Sequence, residues 1–194
     1  ARHIVKVYRE SYNLFAIQGY LFNHESPRRG EEFVTRKVTK GIARINKAIQ
    51  KGESFEPIRL GNVDAKRDWS HAFDFVDGVW KMLNQEKPNE YVLSSNETHT
   101  IREFIELAFK EAGIEGFWHG QGTNEEYSIS TEYAIKNEVN SSVLVKIDPK
   151  FFRPAEVDLL LGDSNRARQE LGWNPKWSFH QLVKDMVAAD IKES

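Results

Sequence analysis

Leu21-Phe22-Asn23-His24-Glu25-Ser26-Pro27-Arg28-Arg29-Gly30 is the stretch that decides the fold. The apolar run leading into it, Ile17 to Phe22, reads as a strand entering a core, although Gln18 and Gly19 interrupt it. It stops abruptly in polar residues, a proline, an arginine pair and a glycine. In open α/β sheets, ligands gather beyond the carboxyl ends of strands. An arginine pair at such a place suits an anion, because a planar guanidinium grips a phosphate with two hydrogen bonds. The competing reading is a solvated loop that only caps the strand, since loops are polar in any case.

Upstream, Ile4, Val5, Tyr8 and Tyr12 fall at helical spacing, so residues 2 to about 14 read as a helix and Asn13 as the start of a turn. The chain opens without an initiator methionine or a capping residue, which reads as a piece of a longer protein. Downstream, Val34, Val38, Ile42, Ile45, Ala48 and Ile49 predict an amphipathic helix from near Phe33–Thr35 to near Gly52. Its amino end lies close to the arginine loop, where free backbone N–H groups add to a positive field. Arg28, Arg29, Arg36, Lys37, Lys40, Arg44, Lys47 and Lys51 face only Glu31 and Glu32 over this region. That excess suits either a phosphorylated small molecule or a solvated helix face.

Pro57-Ile58-Arg59-Leu60-Gly61-Asn62 predicts a short strand and turn, followed by the charged and aromatic string Asp64 to Trp69. A helix follows, with Ser70 as its N-cap and Ala72, Phe75, Val76, Val79, Trp80, Met82 and Leu83 as its apolar side. His71 and Asp74 have the spacing of two metal ligands on it, but no matching further ligands are visible, and a structural role is the stronger reading. Tyr91–Leu93 reads as a strand, and Thr100 with Glu103 as a capping box on a helix closed by Gly113. Gly120 to Ser142 lacks steady periodicity and reads as an irregular, mobile insertion with room for a short hairpin. Val143–Ile147 is the next strand. It leads to Phe151-Phe152-Arg153-Pro154-Ala155-Glu156-Val157-Asp158, a string that offers a cation for phosphate and a carboxylate for sugar hydroxyls, or simply an internal ion pair. Ser164 reads as the cap of a helix from there to Leu171, closed by Gly172. Trp173 and Trp177 bracket Pro175 as a packing corner, and Ser178 with Gln181 reads as a capping box on the last helix. The alternation of short strands and helices gives an α/β class.

Composition narrows the function. The 194 residues carry a net charge of -2, which argues against a nucleic-acid binder by charge. The chain has no cysteine, which excludes disulfides and thiolate chemistry. No stretch approaches the ~20 apolar residues of a membrane helix. No secretory signal is visible, so a cytosolic protein is expected.

The strings together resemble one family. Asn-Leu-Phe-Ala at 13–16, the quoted stretch at 21–30, Phe-Val-Thr-Arg-Lys at 33–37, Leu-Gly-Asn at 60–62, Asp-Ala-Lys-Arg-Asp-Trp at 64–69 and Phe-Arg-Pro-Ala-Glu-Val-Asp at 152–158 resemble the GDP-mannose 4,6-dehydratase family of extended short-chain dehydrogenases. Leu-Gly-Trp-Asn-Pro at 171–175 is shared more widely in that group. The resemblance implies an NADP-holding Rossmann domain and a smaller α/β domain for GDP-mannose. It also implies a reaction in which the sugar is oxidised at C4, loses water across C5 and C6, and regains the hydride at C6. On this reading residues 1–33 are a remnant of the Rossmann domain, and 34–194 are mainly the substrate domain, with about 62–85 returning to the first. The family's Thr or Ser, Glu and Tyr-x-x-x-Lys match nothing in this chain and would lie upstream, so the chain alone is expected to be inactive.

Position by position, the resemblance makes His24 and Arg29 contacts to NADP and Asn23 a contact to the sugar nucleotide. It makes Val34 and Lys37 contacts to GDP, Gly61 and Asn62 a turn against guanine or ribose, Arg67 and Arg153 clamps on the diphosphate, and Glu156 an acceptor for ribose hydroxyls. It further implies a homo-oligomer, dimer or tetramer, with the opening helix resembling the dimerising one. The alternatives are a related sugar-nucleotide epimerase or reductase, or a non-catalytic fragment that binds GDP-sugar or serves only assembly.

Overall fold

Short apolar runs too brief to stand alone must pair, and the helices between them must bury one stripe each. In the computed structural model, which describes residues 2–139, 142–152 and 157–194, they do so in the order α1 (Arg2–Tyr12), β1 (Gln18–Leu21), β2 (Asn23–Glu25), α2 (Val34–Lys51), β3 (Ile58–Leu60), β4 (Lys66–Arg67), β5 (Trp69–His71), α3 (Ala72–Leu83), β6 (Glu90–Leu93), β7 (His99–Thr100), α4 (Ile101–Glu111), β8 (Gly116–His119), β9 (Glu126–Ile129), α5 (Thr131–Lys136), β10 (Val143–Ile147), α6 (Asn165–Leu171) and α7 (Phe179–Glu193). The chain divides into two units. The first comprises Ala1–Glu25, Arg67–Thr98 and Leu160–Phe179, and the second Ser26–Lys66, His99–Leu159 and His180–Ser194. The sequence-based division names one return to the first unit, near 62–85; the segment 160–179 is a second.

In the first unit, β1 runs parallel to β6 and β2 parallel to β5. The core is Phe75, Met82, Tyr91, Leu93, Ala167, Leu171 and Trp173, with Ile17 and Phe22 packed against it. Two buried aspartates organise the loops around it. The Asp68 carboxylate accepts from the Ser95 N–H and hydroxyl, both at 2.7 Å, and from the N–H groups of Asn96 and Gly162 at 3.2 and 3.1 Å. The Asp74 carboxylate accepts from Lys176 and Trp177 N–H at 3.0 and 3.1 Å, while the Trp173 indole donates to its carbonyl at 2.7 Å. Asp74 thus holds the tryptophan corner. His71 stacks on Trp177 with ring centres 4.1 Å apart.

Three sequence expectations need correction here. The N-cap of α3 is His71, whose Nδ1 accepts from Phe73 N–H at 3.2 Å. Ser70 cannot serve, because it is still within β5, paired with His24 of β2. The apolar side of α3 is only partly core: Phe75 and Met82 are buried, whereas Phe73, Val76, Trp80 and Leu83 are exposed, Trp80 to 67%. Ser164 does precede α6, but its hydroxyl donates to the Ser94 carbonyl at 3.0 Å instead of capping the helix. On α1 nothing is buried, and Ile4, Val7, Tyr8 and Tyr12 all face outward.

The second unit is a four-stranded sheet in the order β3-β10-β9-β8, with β3 and β10 parallel and the other pairs antiparallel. Val38, Ile42 and Ile45 of α2, Phe104, Ile105 and Phe109 of α4, and Leu182, Val183 and Met186 of α7 are fully buried. The capping box of α4 forms as expected, with Glu103 N–H to the Thr100 hydroxyl and Thr100 N–H to the Glu103 carboxylate both at 3.0 Å. The segment read as an irregular insertion, Gly120 to Ser142, is the largest correction. It holds β9, which pairs with β8 just before it and is an interior strand with Tyr127 and Ile129 buried. The alternation Glu126-Tyr127-Ser128-Ile129 is only four residues long inside a polar segment, too short a signal for periodicity to single out.

Part of the basic run over α2 serves neither ligand nor solvent. Arg36 is buried and paired with the fully buried Asp190 at 2.9 Å, Lys40 meets Glu193 at 2.9 Å, and Lys47 donates to the Ser194 carbonyl. These cations hold α7. Among the described residues no helix is long and apolar enough to cross a membrane.

Candidate functional site

Parallel strands that end together leave a row of carbonyls and a loop at one edge, and this is where α/β folds place ligands. β3 and β10 end together, Leu60 opposite Ile147, and the Asp148 N–H donates to the Leu60 carbonyl at 2.7 Å. Gly61 follows one strand and Asp148 the other. The Asp148 carboxylate accepts from Lys150 N–H at 3.0 Å and starts a single 3-10 turn, Pro149–Phe151. That turn brings the backbone of Phe151 down onto Gly61. A β-carbon at position 61 would lie 2.3 Å from the Phe151 carbonyl oxygen, so only glycine admits the approach. Asn62 then closes the turn, its side-chain oxygen accepting from Asp64 N–H at 2.9 Å.

The first turn of α2 supplies the charge. Phe33 is its N-cap and contributes no side-chain bond, and Val34 and Lys37 lie three apart in that turn. The Lys37 ammonium sits 3.7 Å from the centre of the Phe151 ring. Burial lowers the Lys37 pKa, and the Asp148 carboxylate partly opposes this. The ring face accepts the cation by its quadrupole without neutralising it. Lys37, Gly61, Asn62 and Val34 are therefore gathered in the second unit, around a turn whose backbone continues into Phe152. Arg29 is in the same unit, its guanidinium 3.5 Å over the Phe33 ring.

Asn23 and His24 are in β2 of the first unit. The His24 Nδ1 is 2.9 Å from the Phe22 carbonyl, which puts its proton on Nδ1 and leaves Nε2 as an acceptor. Arg67 ends β4 and is partly exposed. Arg153 and Glu156 lie outside the described residues. The arrangement in the second unit combines a cation held on an aromatic ring, a helix start and a glycine turn, groups whose chemistry suits a phosphorylated ligand. His71 and Asp74, the candidate metal pair, have structural partners instead, as the cap of α3 and the anchor of the tryptophan corner.

Sequence reasoning missed Phe151 as the partner of Lys37. The aromatic pair at 151–152 was visible, but nothing local indicates that its ring meets a lysine on α2. It also missed Asp68 and Asp74, whose burial follows from loops distant in sequence.

The sequence model of the family described as GDP-mannose 4,6 dehydratase matches residues 1–186. The chain is 49% identical over 189 residues to a GDP-mannose 4,6 dehydratase of Drosophila melanogaster, covering 97% of this chain and 45% of that protein. It is 50% identical over 189 residues to one of Dictyostelium discoideum, covering 97% and 49%. The chain thus spans about half the length of the curated relatives it matches. In fold it resembles the structure of RMD from Pseudomonas aeruginosa complexed with NADPH, with a TM-score of 0.71, 19% identity, and coverage of 98% of this chain and 52% of that one.

Proposed function

The chain belongs to the GDP-mannose 4,6 dehydratase family, and we propose that it supplies the GDP-sugar-binding part of such an enzyme, converting GDP-mannose to GDP-4-keto-6-deoxymannose. The observation that carries this is the convergence of Lys37, Gly61 and Phe151 at the carboxyl ends of β3 and β10. A diphosphate beside Lys37 would gain a charge-assisted bond and the helix-start N–H groups of α2. Val34 would line the same helix start, and Asn62 the base or ribose. Arg67 and Arg153 are proposed as the clamps on the diphosphate, and Glu156, three residues beyond Arg153, as the acceptor for ribose hydroxyls.

The fold group points to a nicotinamide cofactor, and NADP is the form proposed. His24 presents an acceptor nitrogen and Arg29 a cation fixed on an aromatic ring, a donor set that fits a ribose and a phosphate. When bound, the cofactor would supply the hydride chemistry; these side chains bind and orient, with Asn23 close to the sugar. The proton-moving groups of the family have no counterpart in this chain, so it should show no turnover alone. The compartment proposed is the cytosol.

Thermal-shift titration separates this reading from an epimerase or reductase of the same group. GDP-mannose should raise the melting temperature and UDP- or dTDP-sugars should not; stabilisation by UDP-sugars alone would reverse the assignment. In a full-length enzyme, Arg67→Ala and Arg153→Ala should each weaken GDP-sugar binding by roughly 1.5–3 kcal/mol. A second reading, assembly into a homo-oligomer, is favoured by α1, none of whose residues is buried and whose Ile4 and Tyr12 are 64% and 67% exposed.

A further inference from the structure

A cleft of about 460 Å³ opens in the second unit between the end of α4 and the β8–β9 hairpin. Its walls include Glu106, Lys110, Glu115, Phe117, Trp118 and Tyr127. None of these is among the residues gathered around Lys37. Tyr127 is only 4% exposed and lines the cleft, its ring against that of Trp118. The Trp118 indole N–H is buried and has no acceptor among the described residues. A buried tryptophan normally satisfies this group. The two rings are fixed: Trp118 and Tyr127 lie 5.0 Å apart, and the Arg102 guanidinium, itself bound to Glu125 at 2.8 and 3.0 Å, sits 4.4 Å over the Trp118 ring. Gly116 makes room for this, since a β-carbon there would come within 2.8 Å of the Tyr127 ring.

The donors and acceptors of the cleft narrow the occupant. An anion would satisfy Lys110 and the Tyr127 and Trp118 donors but would meet the Glu106 and Glu115 carboxylates. A cation would satisfy the carboxylates but meet the Lys110 ammonium and leave the donors without an acceptor. A ring bearing several hydroxyls serves all five, because each hydroxyl both donates and accepts. We propose that this cleft binds a carbohydrate ring, seated on the aromatic wall with its hydroxyls bonded to Tyr127, Trp118 and the two glutamates.

The ring could come from a free sugar or from the sugar end of a nucleotide sugar. The test follows the Trp118 indole N–H resonance of the ¹⁵N-labelled 194-residue chain, assigned with Trp118→Phe. D-mannose and GDP-mannose are titrated, with GDP, choline chloride and sodium phosphate as controls. A saturable shift with D-mannose or GDP-mannose but not with the controls is expected, and the tighter of the two identifies the source. Tyr127→Phe, which keeps the ring, should weaken that affinity roughly fivefold, the loss of one hydrogen bond. No shift with either sugar, a shift with choline or phosphate, or an unchanged affinity in Tyr127→Phe would overturn the proposal. GDP binding at Lys37 should leave this resonance in place, so the outcome is independent of the GDP reading.

Discussion

Lys37 brings a positive charge to the turn formed by Gly61 and Phe151. Burial works against its ammonium, while Asp148 and the Phe151 ring favour it. Lys37→Ala removes the charge without touching the glycine turn, and the folded chain should keep its melting temperature while losing affinity for GDP. Gly61→Ala acts through the backbone. The new β-carbon meets a carbonyl oxygen, not the end of a flexible side chain, so the Phe151 turn must shift. The expected result is a loss of about 1–3 kcal/mol of stability together with weaker GDP binding, read by denaturant unfolding and titration. Tyr127 gives a prediction in pH. Burial, and then the nearby Glu106 carboxylate, push its phenol from the usual 10 up to about 12. A group whose folded value is raised stabilises the fold while protonated, so this contribution is complete below pH 10 and is lost as the pH rises through about 12. Burial also raises the Tyr91 and Tyr133 phenols, so ultraviolet titration should find a late-ionising group of phenols, and Tyr127→Phe should remove one phenol from it, the last to ionise. At this scale, Lys37 and Gly61 were singled out as candidates by short strings that resemble the family's. Phe151 was not, because its ring meets Lys37 only once β10 is registered against β3.

At the scale of elements, the helices with strong local signals came through. The Thr100–Glu103 box and the Val143–Ile147 strand form where the sequence put them. Local signals failed where tertiary partners decide. Ser70 lost its capping role to strand pairing, and β9 was hidden because the alternation Glu126-Tyr127-Ser128-Ile129 is only four residues long within a polar segment. The basic face of α2 looked like solvent or ligand until α7 brought Asp190 and Glu193 against it. Asp190→Ala would strand the buried Arg36 charge, and urea unfolding should show a loss of about 3 kcal/mol. If the loss is near zero, α7 is not held by that pair. The outward apolar residues of α1 should drive self-association. Sedimentation should find dimers or larger species, shifted toward monomer by Ile4→Glu with Tyr12→Glu.

At the scale of the molecule, the α/β class and the likeness to the GDP-mannose 4,6 dehydratase family were readable because motif strings occur in order along nearly the whole chain. The interleaving of the two units was only half readable. The second return, residues 160–179, carries Leu-Gly-Trp-Asn-Pro, a string that marks the fold group without saying which unit it joins. The account rests on the second unit being a nucleotide-binding body in its own right. Calorimetric titration of the 194-residue chain with GDP tests this most directly. Saturable binding is predicted, weakened roughly ten- to hundredfold by Lys37→Ala and by replacing GDP with UDP. A folded chain that binds no GDP, or binds it equally well without the Lys37 charge, would contradict it.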